Sequence, residues 1–170
     1  DVLRRFVTEQ SRTDYTWTRP NRRAPRPFIL PSLRSVQLGR LAVAIDTSGS
    51  ISPDLLAQFA AEVNAIIDET QPAGVTVLYA DAQVANVEEY QEGEAIQIDR
   101  AKGGGGTDFR PVFKWLEEQP EAPAALIYLT DLDGTMPAAE PAFPVLWGST
   151  DPKRAAPFGE TVAVRPEQWP

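Results

Sequence analysis

Three short apolar runs divide the chain, and polar residues follow each of them. The runs are residues 41–45, 75–80 and 124–129. The first is followed by Asp46 and the last by Thr130 and Asp131. Continuous apolar runs of this length are typical of strands buried on both faces of a parallel sheet. The pattern therefore predicts an α/β fold with a doubly wound, mostly parallel sheet.

A helix is predicted between the first two strands. Ser52 suits the N-cap position and Pro53 the first helical position. The helix should run from Pro53 to about Glu69, because apolar residues recur there at the spacing of one helical face. These residues are Leu55, Leu56, Phe59, Val63, Ile66 and Ile67. Residues 41–80 thus form a predicted strand–helix–strand unit.

The remaining elements have weaker patterns. Residues 2–10 resemble the last turns of a helix, and residues 83–98 alternate weakly, which indicates a short hairpin or an edge strand. A helix should follow the glycines at 103–106 and run through Val112, Phe113, Trp115 and Leu116. Residues 143–147 and 161–164 are the predicted last strands.

The charge is distributed unequally along the chain. The net charge is −8, yet residues 1–40 hold nine arginines against three acidic residues, a net of +6. Residues 41–170 therefore carry −14. We predict that residues 1–39 form an Arg/Pro-rich strap, extended over 11–31, or the end of an upstream region, and that residues 40–170 form the folded domain. A nucleic-acid role for the arginines is the less favoured alternative, because the body is acidic.

Composition excludes several classes of chemistry. The chain has no cysteine and no histidine, so it lacks disulfides, thiolate nucleophiles, Ser-His-Asp triads and His-ligated zinc. No apolar run reaches the roughly 20 residues of a membrane helix, and the start lacks the apolar core of a secretion signal. We expect a cytoplasmic protein that binds no membrane. Because the first residue is Asp, we also expect a piece of a longer chain.

Polar oxygen groups should converge at one edge of the predicted sheet. They follow the strands or stand in the loops just beyond them: Asp46, Ser48, Ser50, Thr107 and Asp131. The carboxyl ends of parallel strands are where ligands bind in open α/β sheets. Two carboxylates and three hydroxyls, without nitrogen or sulfur, suit Mg²⁺, with Mn²⁺ or Ca²⁺ as alternatives. The sequence therefore predicts a site for a hard divalent cation.

The segment Asp46-Thr47-Ser48-Gly49-Ser50 resembles the D-x-S-x-S motif of von Willebrand factor A (VWA) domains. Thr107 and Asp131 are similar to the other two parts of that family's metal-ion-dependent adhesion site (MIDAS). The resemblance covers about residues 40–165 and implies a compact, Rossmann-like fold. It implies that the serines bind the ion directly, that Thr107 does so directly or through water, and that both aspartates act mainly through water. An Asp or Glu of a protein partner would complete the coordination, so this chain would itself be no enzyme.

The leading segment, around residues 13–23 and 30–33, resembles a bacterial subgroup in which the VWA-like domain follows a predicted metallopeptidase domain. Members of this kind often act with AAA+ ATPases of the MoxR type. The resemblance thus implies such an ATPase as a candidate partner.

Two alternatives to a metal-dependent interaction module stay open. The segment Asp131-Leu132-Asp133-Gly134-Thr135 matches the D-x-D-G-T motif of haloacid-dehalogenase-like phosphatases, in which the first Asp is the nucleophile and the second a general acid. In that family, however, the motif follows the first strand, whereas here only about 35 residues remain after it. The other alternative is a VWA-like scaffold that works without metal.

Overall fold

The computed structural model describes residues 2–13, 38–48, 51–98 and 106–164. Along the chain it contains α1 (Val2–Thr13), β1 (Leu41–Asp46), α2 (Pro53–Thr70), β2 (Gly74–Ala80), β3 (Val84–Gln91), β4 (Thr107–Asp108), α3 (Arg110–Glu117), β5 (Ala125–Thr130), β6 (Gly134–Thr135), β7 (Val145–Ser149) and β8 (Glu160–Ala163). In these residues no helix is both long enough and apolar enough to span a bilayer.

Six strands form one sheet in the order β3-β2-β1-β5-β7-β8. All neighbouring pairs are parallel except β2 and β3, which are antiparallel. The chain moves from β1 towards one edge through β2 and β3, and later returns to the other side of β1 with β5. The strand order therefore reverses between β1 and β5. The predicted α/β fold with a mostly parallel sheet is confirmed.

Both faces of the sheet are covered, because alternate residues of each strand point to opposite sides. Leu41, Val43 and Ile45 of β1 belong to a core shared with α1 and α2. Ala42 and Ala44 belong to a second core on the side of α3. The alanines leave room there for an aromatic cluster of Phe109, Phe113, Tyr128, Phe143, Trp147 and Phe158.

Helix α2 begins where its sequence predicts. The backbone N–H of Leu55 donates to Ser52 Oγ at 3.3 Å, which caps the helix, and Pro53 is the first helical residue. All six residues of the predicted apolar face are buried. At the other end, Gln71 adopts a left-handed conformation with φ of 45°, and its N–H donates to Ile67 O at 2.9 Å.

Several predicted boundaries need correction. The first helix continues to Thr13, so residues 11–13 are helical rather than extended. Residues 84–91 form an edge strand that makes a hairpin with β2, whereas 92–98 contain no strand. The strand predicted to start at residue 143 begins two residues later, at Val145, and the strand predicted to start at residue 161 begins one residue earlier, at Glu160. The rest of the predicted strap, residues 14–37, lies outside the described residues.

The N-cap of α2 can be tested by substitution. Ser52→Ala should lower the free energy of unfolding by about 1 kcal/mol, because the N–H of Leu55 loses its acceptor. Urea denaturation monitored by circular dichroism measures this change. Ser52→Asn, which retains a capping oxygen, is the matched control and should unfold at nearly the wild-type urea concentration. Equal stability of all three proteins would contradict the assigned cap.

Candidate metal centre

Asp46 is the last residue of β1, at the point where the strand order reverses. Its side chain is buried, with 1% of the residue exposed. The N–H of Ser48 donates to Asp46 Oδ1 at 2.9 Å, and Thr107 Oγ1 donates to Oδ2 at 3.3 Å. Three of the predicted site residues, from two separate loops, are therefore joined by hydrogen bonds.

A fourth residue, Thr130, contacts the same carboxylate, although it is not among the predicted site residues. Thr130 is fully buried at the end of β5, and its Oγ1 donates to Asp46 Oδ2 at 2.8 Å. The same oxygen accepts the N–H of Leu132 at 3.0 Å. The sequence feature that could have indicated this role is the position of Thr130, a hydroxyl residue at the end of an apolar strand and directly before Asp131. Thr130 thus links the carboxylate of Asp46 to the loop after β5.

Asp131 lies one residue beyond Thr130, and the register places β5 directly beside β1. Asp131 Oδ1 accepts the N–H of Asp133 at 2.9 Å, which tightens the turn after the strand. Leu132, between them, has a positive φ of 60°. Asp131 therefore stands at the predicted edge of the sheet, although no hydrogen bond of the described residues joins it to Asp46. Ser50 lies outside the described residues.

Two buried hydroxyls near Asp46 lack a hydrogen-bond partner among the described residues. One is Thr47 Oγ1, in the residue that follows Asp46. The other is the hydroxyl of Tyr128, a fully buried residue of β5. Burial raises the pKa of Tyr128 well above its usual value, and the negative charges of Asp46 and Asp108 raise it further. The Tyr128 hydroxyl consequently stays protonated and neutral.

An arginine occupies the rim of this edge. Arg154 follows β7, and its Nη1 lies 2.8 Å from Asp133 Oδ1 while its Nε lies 3.4 Å from Asp151 Oδ2. The hydrogen bond and charge of Arg154 hold the pKa of Asp133 below its ordinary value. Asp133, the predicted general acid of the phosphatase alternative, is thus held in its charged form.

The residues fit a hard cation better than a transition metal. In the described part of the chain, no group of three or more His, Cys, Asp or Glu side chains lies together. The hydrogen-bond donors to Asp46 are instead two threonine hydroxyls and the backbone N–H of Ser48, and of these only the hydroxyl oxygens can bind a cation. No ion pair of the described residues involves Asp46, whereas buried carboxylates ordinarily have a cationic partner. The oxygen-rich set and this buried negative charge are compatible with Mg²⁺, Mn²⁺ or Ca²⁺.

The chain matches a known family over most of its length. The profile of the family described as "VWA-like domain (DUF2201)" matches residues 41–165. An uncharacterized protein of Thermotoga maritima is 32% identical over 142 residues, which cover 81% of this chain and 34% of that protein. The chain thus spans about a third of the length of this relative.

The fold is similar to that of a solved structure. The ArnB paralog VWA2 from Sulfolobus acidocaldarius superposes with a TM-score of 0.51 and 16% identity, over 66% of this chain and 34% of that one. An aerotolerance-related membrane protein from Bacteroides fragilis gives a TM-score of 0.45 and 13% identity, over 65% of this chain and 66% of that one. The first similarity agrees with the α/β architecture described above.

The buried hydroxyl of Tyr128 should lower the free energy of unfolding at alkaline pH. Above pH about 10 the unfolded chain loses this phenolic proton while the folded protein keeps it, because folding raises the pKa. The unfolded state then binds fewer protons, so stability falls by up to about 1.4 kcal/mol per pH unit from this group. Tyr128→Phe should remove that part of the decline, as measured by urea denaturation in metal-free buffer from pH 7 to 11.

Tyr90 provides the matched control, since its hydroxyl lies 3.0 Å from both Glu88 Oε2 and Gln97 O, one of which accepts its proton. At pH 7, Tyr90→Phe should cost about 1 kcal/mol, whereas Tyr128→Phe should cost nothing, because it removes a buried hydroxyl without a partner. A larger loss at pH 7 from Tyr128→Phe than from Tyr90→Phe would show that the Tyr128 hydroxyl is satisfied.

Proposed function

The chain belongs to the VWA-like domain (DUF2201) family, and on this basis we propose that it is a metal-dependent protein-binding module. In this proposal a divalent cation, Mg²⁺ before Mn²⁺ or Ca²⁺, is held at a MIDAS-type site by five residues: Asp46, Ser48, Ser50, Thr107 and Asp131. An Asp or Glu side chain of a protein partner completes its coordination. The module acts by binding and has no catalytic activity of its own.

The observation that carries the proposal is the environment of Asp46. Its carboxylate is buried and accepts hydrogen bonds from three neutral groups, and no Arg or Lys of the described residues pairs with it. Burying an unpaired charge is costly, and a bound cation removes that cost. We propose that the ion is the missing counter-charge.

The kinds of donor support a site that attracts an outside anion. Hydroxyls bind a cation without adding negative charge, so the ion retains much of its attraction for a carboxylate. Mg²⁺ requires about six oxygens and commonly keeps waters, so a partner's carboxylate can replace one of them. The ion supplies the positive charge by which an acidic protein with a net charge of −8 can bind an acidic side chain.

The charge state of Asp133 favours binding over phosphate ester hydrolysis. The phosphatase alternative requires this residue to donate a proton, which is easiest for a carboxyl with a raised pKa. The ion pair with Arg154 lowers the pKa of Asp133 instead. This makes Asp133 a poor general acid near neutral pH.

Further aspects of the proposal concern the whole protein. On the resemblance of the leading segment to the bacterial subgroup, we propose a cytoplasmic protein that carries a metallopeptidase-like domain before this one. We propose an AAA+ ATPase of the MoxR type as a candidate partner on the same ground.

Asp46→Asn tests the proposal directly, because it removes the buried charge while preserving the shape of the side chain. In EDTA the variant should be at least as stable as the wild type, since it no longer buries an unpaired carboxylate. With saturating Mg²⁺ the wild type alone should gain stability, by about 2.7 kcal/mol at a concentration 100 times the Kd. Thermal denaturation with EDTA, Mg²⁺, Mn²⁺ or Ca²⁺ measures both effects.

Asp151→Asn is the matched control, because its partly exposed carboxylate pairs with Arg154 outside the proposed ligand set. It should respond to Mg²⁺ as the wild type does. A wild-type denaturation midpoint that none of the three cations raises would overturn the metal-dependent proposal and leave the metal-free scaffold. Hydrolysis of p-nitrophenyl phosphate that is lost in Asp131→Asn would instead establish the phosphatase alternative.

A further inference from the structure

Two short segments from different loops pair at the proposed site. Strand β4 lies parallel to β6, with Thr107 opposite Gly134 and Asp108 opposite Thr135. The N–H of Phe109 donates to Thr135 O at 3.0 Å. The backbone that carries Thr107 is therefore attached to the loop that begins with Asp131.

The approach of the two segments is too close for a side chain at residue 134. A Cβ atom built on Gly134 would lie 2.6 Å from Thr107 O and 2.9 Å from both Thr107 Cβ and Phe109 Cε2. Carbon atoms in good contact are about 3.5–4.0 Å apart, so these distances are strongly repulsive. The φ of Gly134 is not positive, so glycine is required here because there is no space for a side chain and not because of the backbone conformation.

Of the two neighbours, Phe109 is the less able to move. Its ring is fully buried and makes edge-on contacts with Tyr128 and Trp147, at centroid distances of 5.3 Å and 5.5 Å. Thr107 is only partly buried, and its hydroxyl reaches Asp46 through bonds of 3.3 Å and 3.5 Å. A side chain at residue 134 should consequently displace Thr107 rather than Phe109.

We infer that Gly134 is a positioning residue of the proposed metal centre, a role that rests on the function proposed above. Its lack of a side chain lets β6 support β4 and so holds the Thr107 hydroxyl beside Asp46. The loop that supplies Asp131 thereby also sets the position of Thr107. This role accounts for Gly134 in the D-x-D-G-T segment without phosphoryl chemistry.

Gly134→Ala is the direct test, with Gly106→Ala as the matched control. Gly106 directly precedes Thr107, but a Cβ there would meet no atom of the described residues within 4 Å. Mg²⁺ titration by calorimetry should show an affinity loss of about 10-fold or more in Gly134→Ala, the usual effect of disturbing a residue that orients a metal ligand. Gly106→Ala should bind Mg²⁺ as the wild type does.

A double-mutant cycle separates positioning from general destabilisation. Thr107→Ala removes the hydroxyl through which Gly134 acts, so adding Gly134→Ala to it should weaken Mg²⁺ binding no further. Full additivity of the two losses would overturn the inference. Urea denaturation in EDTA shows whether each variant folds without metal.

A measurement on the wild type covers the case in which Gly134→Ala does not fold. Mg²⁺ should slow hydrogen exchange of the Phe109 amide, which bonds to Thr135 O, more than that of the Val164 amide, which bonds to Ser149 O at the end of β7. Equal slowing at both amides would overturn the inference. If the wild type binds no Mg²⁺, the proposed function fails; if it binds and Gly134→Ala binds equally well, only the role of Gly134 fails.

Discussion

The arrangement of this edge of the sheet depends on one buried carboxylate. Asp46 ends the central strand β1, where water cannot solvate its charge, so neighbouring residues must donate hydrogen bonds to it. Ser48 does so from the loop after β1, Thr107 from the segment before α3, and Thr130 from β5. These bonds join three stretches of chain that are far apart in sequence. The proposed cation would complete this arrangement by balancing the charge.

The topology explains why the donors come from these stretches. Because the strand order reverses between β1 and β5, the chain leaves β1 towards α2 on one face, and it enters β5 from α3 on the other. A crevice at the ends of β1 and β5 is thus open to loops from both faces. The small side chains of Ala42 and Ala44 also contribute, since they leave space for the aromatic cluster that packs Phe109 and α3 against the sheet.

Much of the fold follows from local patterns, which is why it could be predicted. The buried strands are short apolar runs, and α2 has a capping serine, a proline and a regular apolar face. The predicted site residues Asp46 and Ser48 lie together because a strand end and the loop after it fix them locally, whereas Thr107 reaches Asp46 from a segment far along the chain. The β4–β6 pair could not be predicted, since each strand has two residues and neither carries a periodic pattern. Thr130 and Gly134 were not predicted either, because their roles depend on contacts with other parts of the chain.

The segment 131–135 shows how context decides the meaning of a motif. Its sequence matches a phosphatase motif, but two of its residues make other contacts in the fold. Asp133 pairs with Arg154, and Gly134 lies against Thr107. The strand before it, β5, lies beside β1, so the segment begins next to the buried carboxylate of Asp46, for which we propose a cation as the counter-charge. A second acidic group placed there suits a bound cation, because two carboxylates near one another repel unless a positive charge lies between them. The position of the segment in the sheet, rather than its sequence alone, therefore leads us to propose a metal-binding role.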